Sequence, residues 1–256
     1  MGMRMAILRI AALLTAVALA GLSVKVTWAA DAEQAERLVE QADQVRFPRE
    51  SFQVDVNITS MTPDREPERR KYRILSKGND NTLVITLEPA ADKGQVLLMR
   101  GRDLWIYLPN LSQPVRLALS QRLTGQVANG DLARANFAGD YTPRLLGKET
   151  LDDEPCFVLE LDAVDRGVTY HRVKYWVREA GLQPQKAEFY SLSDRLLKIG
   201  HYRAFKALGG KVRPTEVLIE DALHQGEQSL LQYSNLQLKE LPDKMFSKDY
   251  LKRLDY

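Results

Sequence analysis

From Ser51 onward the chain alternates apolar and polar residues with a period of two, and short turn motifs interrupt the alternation every few residues. In the segment 51–59, Phe52, Val54, Val56 and Ile58 share one side while Gln53, Asp55 and Asn57 share the other. A period of two sends successive side chains to opposite faces of a strand. Turn residues at Gly78-Asn79-Asp80-Asn81, Asp92-Lys93-Gly94, Gly101 and Pro109-Asn110 separate strands predicted over 69–76, 82–87, 95–100 and 103–108. After a break, strands are predicted over 143–150, 156–162, 170–178, 185–191, 196–205, 212–220 and 228–238. About 11 or 12 strands joined by tight turns describe an antiparallel meander, because parallel pairing would need long crossover connections.

The alternation also assigns faces. Phe52/Val54/Val56/Ile58, Leu83/Ile85/Leu87, Leu104/Ile106/Leu108, Phe157/Leu159/Leu161, Val173/Tyr175/Val177 and Val217/Ile219 each form an unbroken apolar side. A curved sheet with one apolar face must cover it with helices, a second sheet or a ligand. Little helix is available. Asp31–Phe47 carries Ala32, Ala35, Leu38, Val39, Ala42 and Val45 at three- and four-residue steps and stops at Pro48, so it is an amphipathic helix. A closing helix is expected over about 244–254, and Gly125, Gly130 and Gly139 divide residues 120–140 into stretches of one or two helical turns. Two arrangements satisfy this imbalance: an apolar cavity lined by the residues just named, or a barrel filled by its own side chains. The first helix is correspondingly either fixed cover or a movable lid. No Pro-, Gly- or Ser-rich linker divides the chain, so one domain is expected.

The first thirty residues follow a different logic. Arg4 and Arg9 precede the uncharged run 10–24, and small residues surround Thr27, Ala29 and Ala30. A charged, then apolar, then small-residue order is that of a secretory signal peptide. The run is shorter than the roughly 20 residues of a bilayer span. The expected division is therefore a signal peptide at 1–29, cut after Ala29 or Ala30, and a domain at 30–256. Loss of residues 1–29 removes Arg4, Arg9 and Lys25 and no acid, leaving 33 basic against 34 acidic residues. The positive balance of the whole chain thus belongs to its leader. No sustained basic surface is left for nucleic acid.

Chemistry-bearing motifs are scarce. Cys156 is the single cysteine, which excludes an internal disulfide framework and cysteine-clustered metal sites. His171, His201 and His224 are scattered, and no HExxH or GxSxG pattern occurs. Gly147-Lys148-Glu149-Thr150 lacks the upstream glycine of a phosphate loop, since Thr142 stands there. The acid pairs Asp152-Asp153 and Glu220-Asp221 read as solvated turns. Nothing points to an enzyme, a cofactor or a metal. The dense basic cluster Arg65, Arg69, Arg70, Lys71 and Arg73 reads as a charged hairpin edge guarded against aggregation, with an anionic docking patch as the alternative.

Asp103-Leu-Trp-Ile-Tyr-Leu-Pro109, Val115-Arg-Leu117, the 125–140 insertion, Tyr175-Trp-Val-Arg-Glu-Ala-Gly-Leu-Gln-Pro184, Lys186-Ala-Glu-Phe-Tyr190 and Met245-Phe-Ser-Lys-Asp-Tyr-Leu251 occur in that order after a leader and an amphipathic helix. In this order the chain resembles the outer-membrane lipoprotein-sorting proteins, the LolA-like periplasmic carriers. The resemblance spans essentially all of the chain after the leader. It implies a half-open antiparallel β-barrel with helices over the concave face and an interior that takes up acyl chains of lipoproteins or other lipids. It further implies a monomer without cofactor, loaded by an inner-membrane exporter of ABC or RND type and emptied towards an outer-membrane acceptor. A longer chain with a charged segment at 62–73 departs from the dedicated sorting chaperone, so the cargo class is broader than lipoprotein. The other class of function on the same fold is a periplasmic lipid or lipoprotein sensor, or a scaffold for a membrane complex.

Overall fold

A computed structural model describes residues 31–111 and 113–251. The leader predicted at 1–29 and its junction at Ala30 lie outside the described residues. Helix α1 occupies residues 31–46 and is followed by β1 (Phe52–Met61), β2 (Glu68–Lys77), β3 (Asn81–Glu88), β4 (Val96–Arg100), β5 (Asp103–Tyr107) and β6 (Val115–Leu117). A small hairpin, β7 (Arg122–Thr124) and β8 (Val127–Ala128), leads into the short helix α2 (Asn129–Ala133). The second run of strands is β9 (Tyr141–Leu151), β10 (Glu154–Ala163), β11 (Arg172–Arg178), β12 (Pro184–Tyr190), β13 (Leu196–Leu208), β14 (Lys211–Asp221) and β15 (Gln228–Leu238). A single 3₁₀ turn at Asp243–Met245 and helix α3 (Lys248–Leu251) follow.

Thirteen strands form one antiparallel sheet in the order β6-β5-β4-β3-β2-β1-β15-β14-β13-β12-β11-β10-β9. Every neighbour is a hairpin neighbour in sequence except β1 and β15, whose pairing joins the two runs at the centre of the sheet. The end strands β6 and β9 do not pair with each other, so the barrel is half open. Each predicted strand has its counterpart here. Three are added, β6, β7 and β8, each of two or three residues and too short to carry a visible alternation; β7 and β8 stand where helical turns were expected.

Register turns the alternation into two continuous surfaces. On the concave side, Val54, Ile74, Val84, Leu97 and Ile106 lie in one cross-strand row. They belong to a core that also holds Leu119, Val127 and Leu132 from the segment between the two runs. On the convex side Leu75, Leu83, Leu98 and Trp105 form the parallel row. That row is covered by Leu241, Phe246 and Leu251 of the C-terminal segment. The expected closing helix is therefore corrected twice. It is broken into a 3₁₀ turn and one short helix, and it covers the outside of the sheet rather than the interior. Apolar residues at Leu241, Phe246 and Leu251 fit any apolar surface equally well, so sequence alone does not choose the side.

Helix α1 lies where its stripe requires, on the concave side of the second run. Ala35, Leu38, Val39 and Ala42 are buried against Leu159, Leu161, Val173, Tyr175 and Val177. Its last carbonyls would be orphaned inside the protein. Arg213, itself only 2 % exposed, answers them by donating to Gln44 O at 2.8 Å and Val45 O at 3.0 Å. A guanidinium at a helix C-terminus also complements the helix dipole.

Candidate functional site

The concave interior gathers most of the residues assigned to it from alternation. Phe52, Val54, Val56, Ile58, Leu104, Ile106 and Ile219 pack in the core beneath the segment 119–133. Phe157, Leu159, Leu161, Val173, Tyr175 and Val177 pack in the core beneath α1, and Val217 touches both. Leu83, Ile85 and Leu87 belong instead to the convex core under the C-terminal segment. Leu108 lies just past β5, half-buried and in neither core. The reason for the misplacement of β3 is simple. Both of its faces are apolar, with Val84 between Leu83 and Ile85, so the alternation there identifies a strand without saying which side faces in.

Two elements roof the interior, α1 and the strap of residues 119–140. They are tied to each other by Asp43, whose Oδ2 accepts from Phe137 N and Ala138 N, both at 2.8 Å. The strap is tied to the rim by Arg134, which donates to Asn79 O at 2.5 Å, Gly101 O at 3.0 Å and Asp80 at 3.0 Å, and pairs with Asp140. Arg102 adds bonds to Asp140 at 3.0 Å and Gly139 O at 3.0 Å. Close approach matters too. A Cβ on Gly130 would stand 1.9 Å from Thr169 Oγ1, so the strap can lie this low only with glycine there. The roof is thus held by polar ties at its margins and by apolar contacts beneath it, with Leu38 and Val39 of α1 and Leu119, Val127 and Leu132 of the strap buried in the cores.

Beneath the roof sits a polar group that alternation does not reveal. Arg46 projects from the last turn of α1 among aromatic rings, 4.9 Å from the Phe137 centroid and 5.4 Å from that of Tyr202. Its Nη1 lies 3.5 Å from Asp43 Oδ1, too long and poorly aligned for a hydrogen bond. Burial pushes the Asp43 carboxyl up to about 6, against the opposing pull of Arg46 and of the two backbone N–H groups. Among the described residues neither the Tyr175 hydroxyl, fully enclosed, nor Asp43 Oδ1 has a hydrogen-bond partner. In the sequence, Asp43 and Arg46 sit one turn apart beside the apolar stripe of α1 and look like ordinary solvated charges.

Two of the free spaces lie against the residues assigned to the interior. About 40 Å³ lies next to Arg46, bounded by Tyr170, Tyr202, Val217, Ile219, Leu231 and Tyr233 among others. A larger cavity of about 250 Å³ lies between the strap and β2–β6, lined by Tyr72, Val84, Leu97, Ile106, Leu117 and Leu123. Arg70, paired with Asp92, stands at its polar side. An apolar cavity of roughly 150 Å³ already suffices to bind a benzene-sized molecule. Burial pushes the Tyr72 phenol up to about 12, as expected for a wall that excludes water.

The basic cluster is not an edge. β2 pairs with β1 on one side and β3 on the other, and Arg73 binds Asp55 through both nitrogens at 2.7 and 3.1 Å. Two of its cations are therefore internal partners of carboxylates. One grouping escaped the sequence analysis: Asp221, His224 and Glu227 bring a ligand atom each within 4.8 Å of one another at the β14–β15 turn. Its geometry is accounted for by the turn itself, since Asp221 accepts from Leu223 N at 2.7 Å and His224 N at 3.0 Å. Burial raises the Asp221 carboxyl, but these N–H donors and His224 outweigh it and hold the group below its ordinary value. His201, on β13, faces Glu220 at 3.6 Å. No helix among the described residues is long and apolar enough to cross a membrane.

A family model described as an uncharacterized protein matches residues 78–253. No curated protein matches the chain. Among solved structures, the chain is similar to a LolA superfamily protein from Nitrosomonas europaea, at 55% identity and a TM-score of 0.81, covering 84% of this chain and 98% of that one. It shares its fold with a DUF1329 family protein from Desulfovibrio piger, at 24% identity, a TM-score of 0.73 and coverage of 86% and 99%. It also shares its fold with an outer-membrane lipoprotein-sorting protein domain from Vibrio parahaemolyticus, at 23% identity, a TM-score of 0.74 and coverage of 87% and 100%.

Proposed function

The chain belongs to the LolA superfamily, and on that premise we propose that it is a periplasmic carrier which shelters acyl chains of lipoproteins or other lipids inside the half-open barrel. The observation that carries this reading is the cavity of about 250 Å³, partly open to solvent, between the strap and the inner faces of β2–β6, with Tyr72, Val84, Leu97, Ile106, Leu117 and Leu123 on its apolar side. Each methylene moved out of water contributes about 0.8 kcal/mol, so an acyl chain crosses an aqueous compartment only inside such an enclosure. A full chain needs more room than the closed interior offers. Loading therefore involves displacement of the strap, and the polar ties of Asp43 and Arg134 are the contacts that break.

The carrier acts by differential affinity. An inner-membrane exporter supplies cargo and energy, the roof closes over the chain, and an acceptor of higher affinity at the outer membrane removes it. Residues 1–29 serve as the export signal and residues 30–256 as the carrier domain; the intact mass of protein recovered from periplasm tests this division. The function itself is tested by native mass spectrometry of that protein with organic extraction of any bound mass, together with displacement of a fluorescent fatty-acyl probe. Retained acyl lipid and micromolar or tighter probe binding are expected. An empty protein that ignores the probe overturns the carrier reading in favour of a scaffold that binds a membrane complex.

A further inference from the structure

We propose that the cavity between the strap and β2–β6 takes an amphiphile with an anionic head group, a carboxylate or a phosphate, held at the cavity mouth by Arg70 and Arg122. This rests on the carrier reading and names both the class of cargo and the end of it that stays outermost.

The wall of this cavity changes character along the strands. On the inner face of β2 the order is Ile74, Tyr72, Arg70; on β3 it is Val84, then Thr86; Leu97 of β4 is preceded by Gln95. Register brings these steps level. Ile74, Val84, Leu97 and Ile106 share one row, Tyr72 lies opposite Thr86, and Thr86 N donates to Gln95 O at 2.9 Å. Apolar residues therefore fill one end, and polar residues gather at the other, towards the start of β2 and the end of β3.

Charge follows the same division. The charged side chains on the wall are Arg70, from the sheet, and Arg122, from β7 of the strap, and no carboxylate lies among the described lining residues. Arg70 gives one nitrogen to Asp92, whose other oxygen accepts from Gln95 Nε2 at 2.9 Å. Asp92 is not part of the wall, so it orients both side chains without bordering the cavity. Glu68, further out on β2, is exposed and likewise off the wall. Arg122 is exposed and pairs with no carboxylate among the described residues. An anion arriving here meets two guanidinium groups and one carboxylate that Arg70 and Gln95 already engage. The planar fork of a guanidinium suits carboxylate and phosphate oxygens alike. Burying an ion is costly, so a head group at the partly open mouth keeps contact with water while its chain lies along Leu97, Ile106 and Leu117.

The experiment displaces the fluorescent acyl probe with four amphiphiles of equal chain length: laurate, dodecyl phosphate, methyl laurate and dodecyltrimethylammonium. Probe affinity is measured separately for each variant. Wild-type protein is expected to bind the two anions about fivefold or more tighter than the ester or the ammonium, with the advantage shrinking as salt rises. A preference between laurate and dodecyl phosphate identifies the head, and either supports the site. Arg122→Gln, at an exposed position, is expected to weaken both anions by about 3- to 10-fold and to leave methyl laurate and the melting temperature unchanged. Arg70→Gln is expected to act in the same direction; should it fail to fold, Arg122→Gln alone decides. Arg203→Gln removes an exposed cation that does not border this cavity and is expected to change nothing. Equal anion affinity in wild type and Arg122→Gln, or an equal loss in Arg203→Gln, overturns the head-group site and leaves the carrier reading standing. So does a wild-type protein that binds the ester as tightly as the anions. A wild-type protein that binds none of the four overturns both.

Discussion

Val84 and Ile85 are adjacent in β3 and belong to different cores. Val84 packs with Ile74 and Leu97 beneath the strap, whereas Ile85 packs with Val96 under the C-terminal segment. The two positions therefore separate cavity from scaffold by one residue. Val84→Phe, placed on the wall of the 250 Å³ cavity, is expected to reduce acyl-probe affinity at least tenfold with little change in melting temperature. Ile85→Ala is expected to cost about 2–5 kcal/mol of stability and to leave probe affinity unchanged. Denaturant melts paired with probe titration check both. The assignment fails if Ile85→Ala lowers affinity while Val84→Phe does not.

β3 also marks the limit of what the sequence discloses. Where one face is polar, as in β1 with Gln53, Asp55 and Asn57 opposite Val54 and Val56, alternation gives strand and side together. Where both faces are apolar, only register against neighbours fixes the side, and register is a property of pairing that a single strand does not contain. The meander and its strand count follow from local turn chemistry and are legible. The junction of β1 with β15 joins residues far apart in the chain, and nothing local announces it. Asp43 and Arg46 stayed hidden for a different reason: a charge on a helix flank is ordinarily solvated, and Asp43 is enclosed where it meets the backbone of the strap.

The Asp43–Arg46 pair sets a pH response. Burial raises the folded-state value of Asp43 from 3.8 to about 6, so between these values the folded protein holds a proton that the unfolded chain has released. Stability contributed by this group is present below 3.8 and declines as pH rises through about 6. Arg46→Met removes the cation that restrains this rise. It is expected to cost about 3–5 kcal/mol at neutral pH, the consequence of stranding a buried carboxylate, and the deficit should shrink on acidification. Thermal melts of both proteins from pH 4 to pH 8 give the comparison. A deficit constant across that range would mean that Asp43 is neutral throughout.

Phe246 closes the convex face over Leu83, Leu98 and Leu241 and is 2 % exposed. Phe246→Ala is expected to destabilise the fold by about 3–5 kcal/mol and to speed amide exchange in β3 and β4. Acyl-probe affinity, measured below the unfolding transition, should be unchanged, because this segment is cladding on the outside of the barrel. Lowered affinity would instead make the C-terminal segment part of the roof.

Arg134 concentrates the ties of the strap in one side chain. It bonds the carbonyls of Asn79 and Gly101 at two hairpin turns, reaches Asp80, and pairs with Asp140, which Arg102 also holds. Arg134 and Asp140 are themselves almost fully buried, so the cluster behaves as a unit and not as a set of surface ion pairs. Arg134→Ala leaves Asp140 with Arg102 and strands the turn carbonyls, which water can reach once the strap lifts. The sheet beneath is untouched. Amide exchange should therefore rise over 125–140 and hardly at all in β1 or β15, and the acyl probe should enter and leave several-fold faster. Affinity is expected to change less than either rate, because the closed and open forms are both made easier to interchange. If exchange rises uniformly across the sheet, Arg134 supports the whole barrel and the strap is not an independent element.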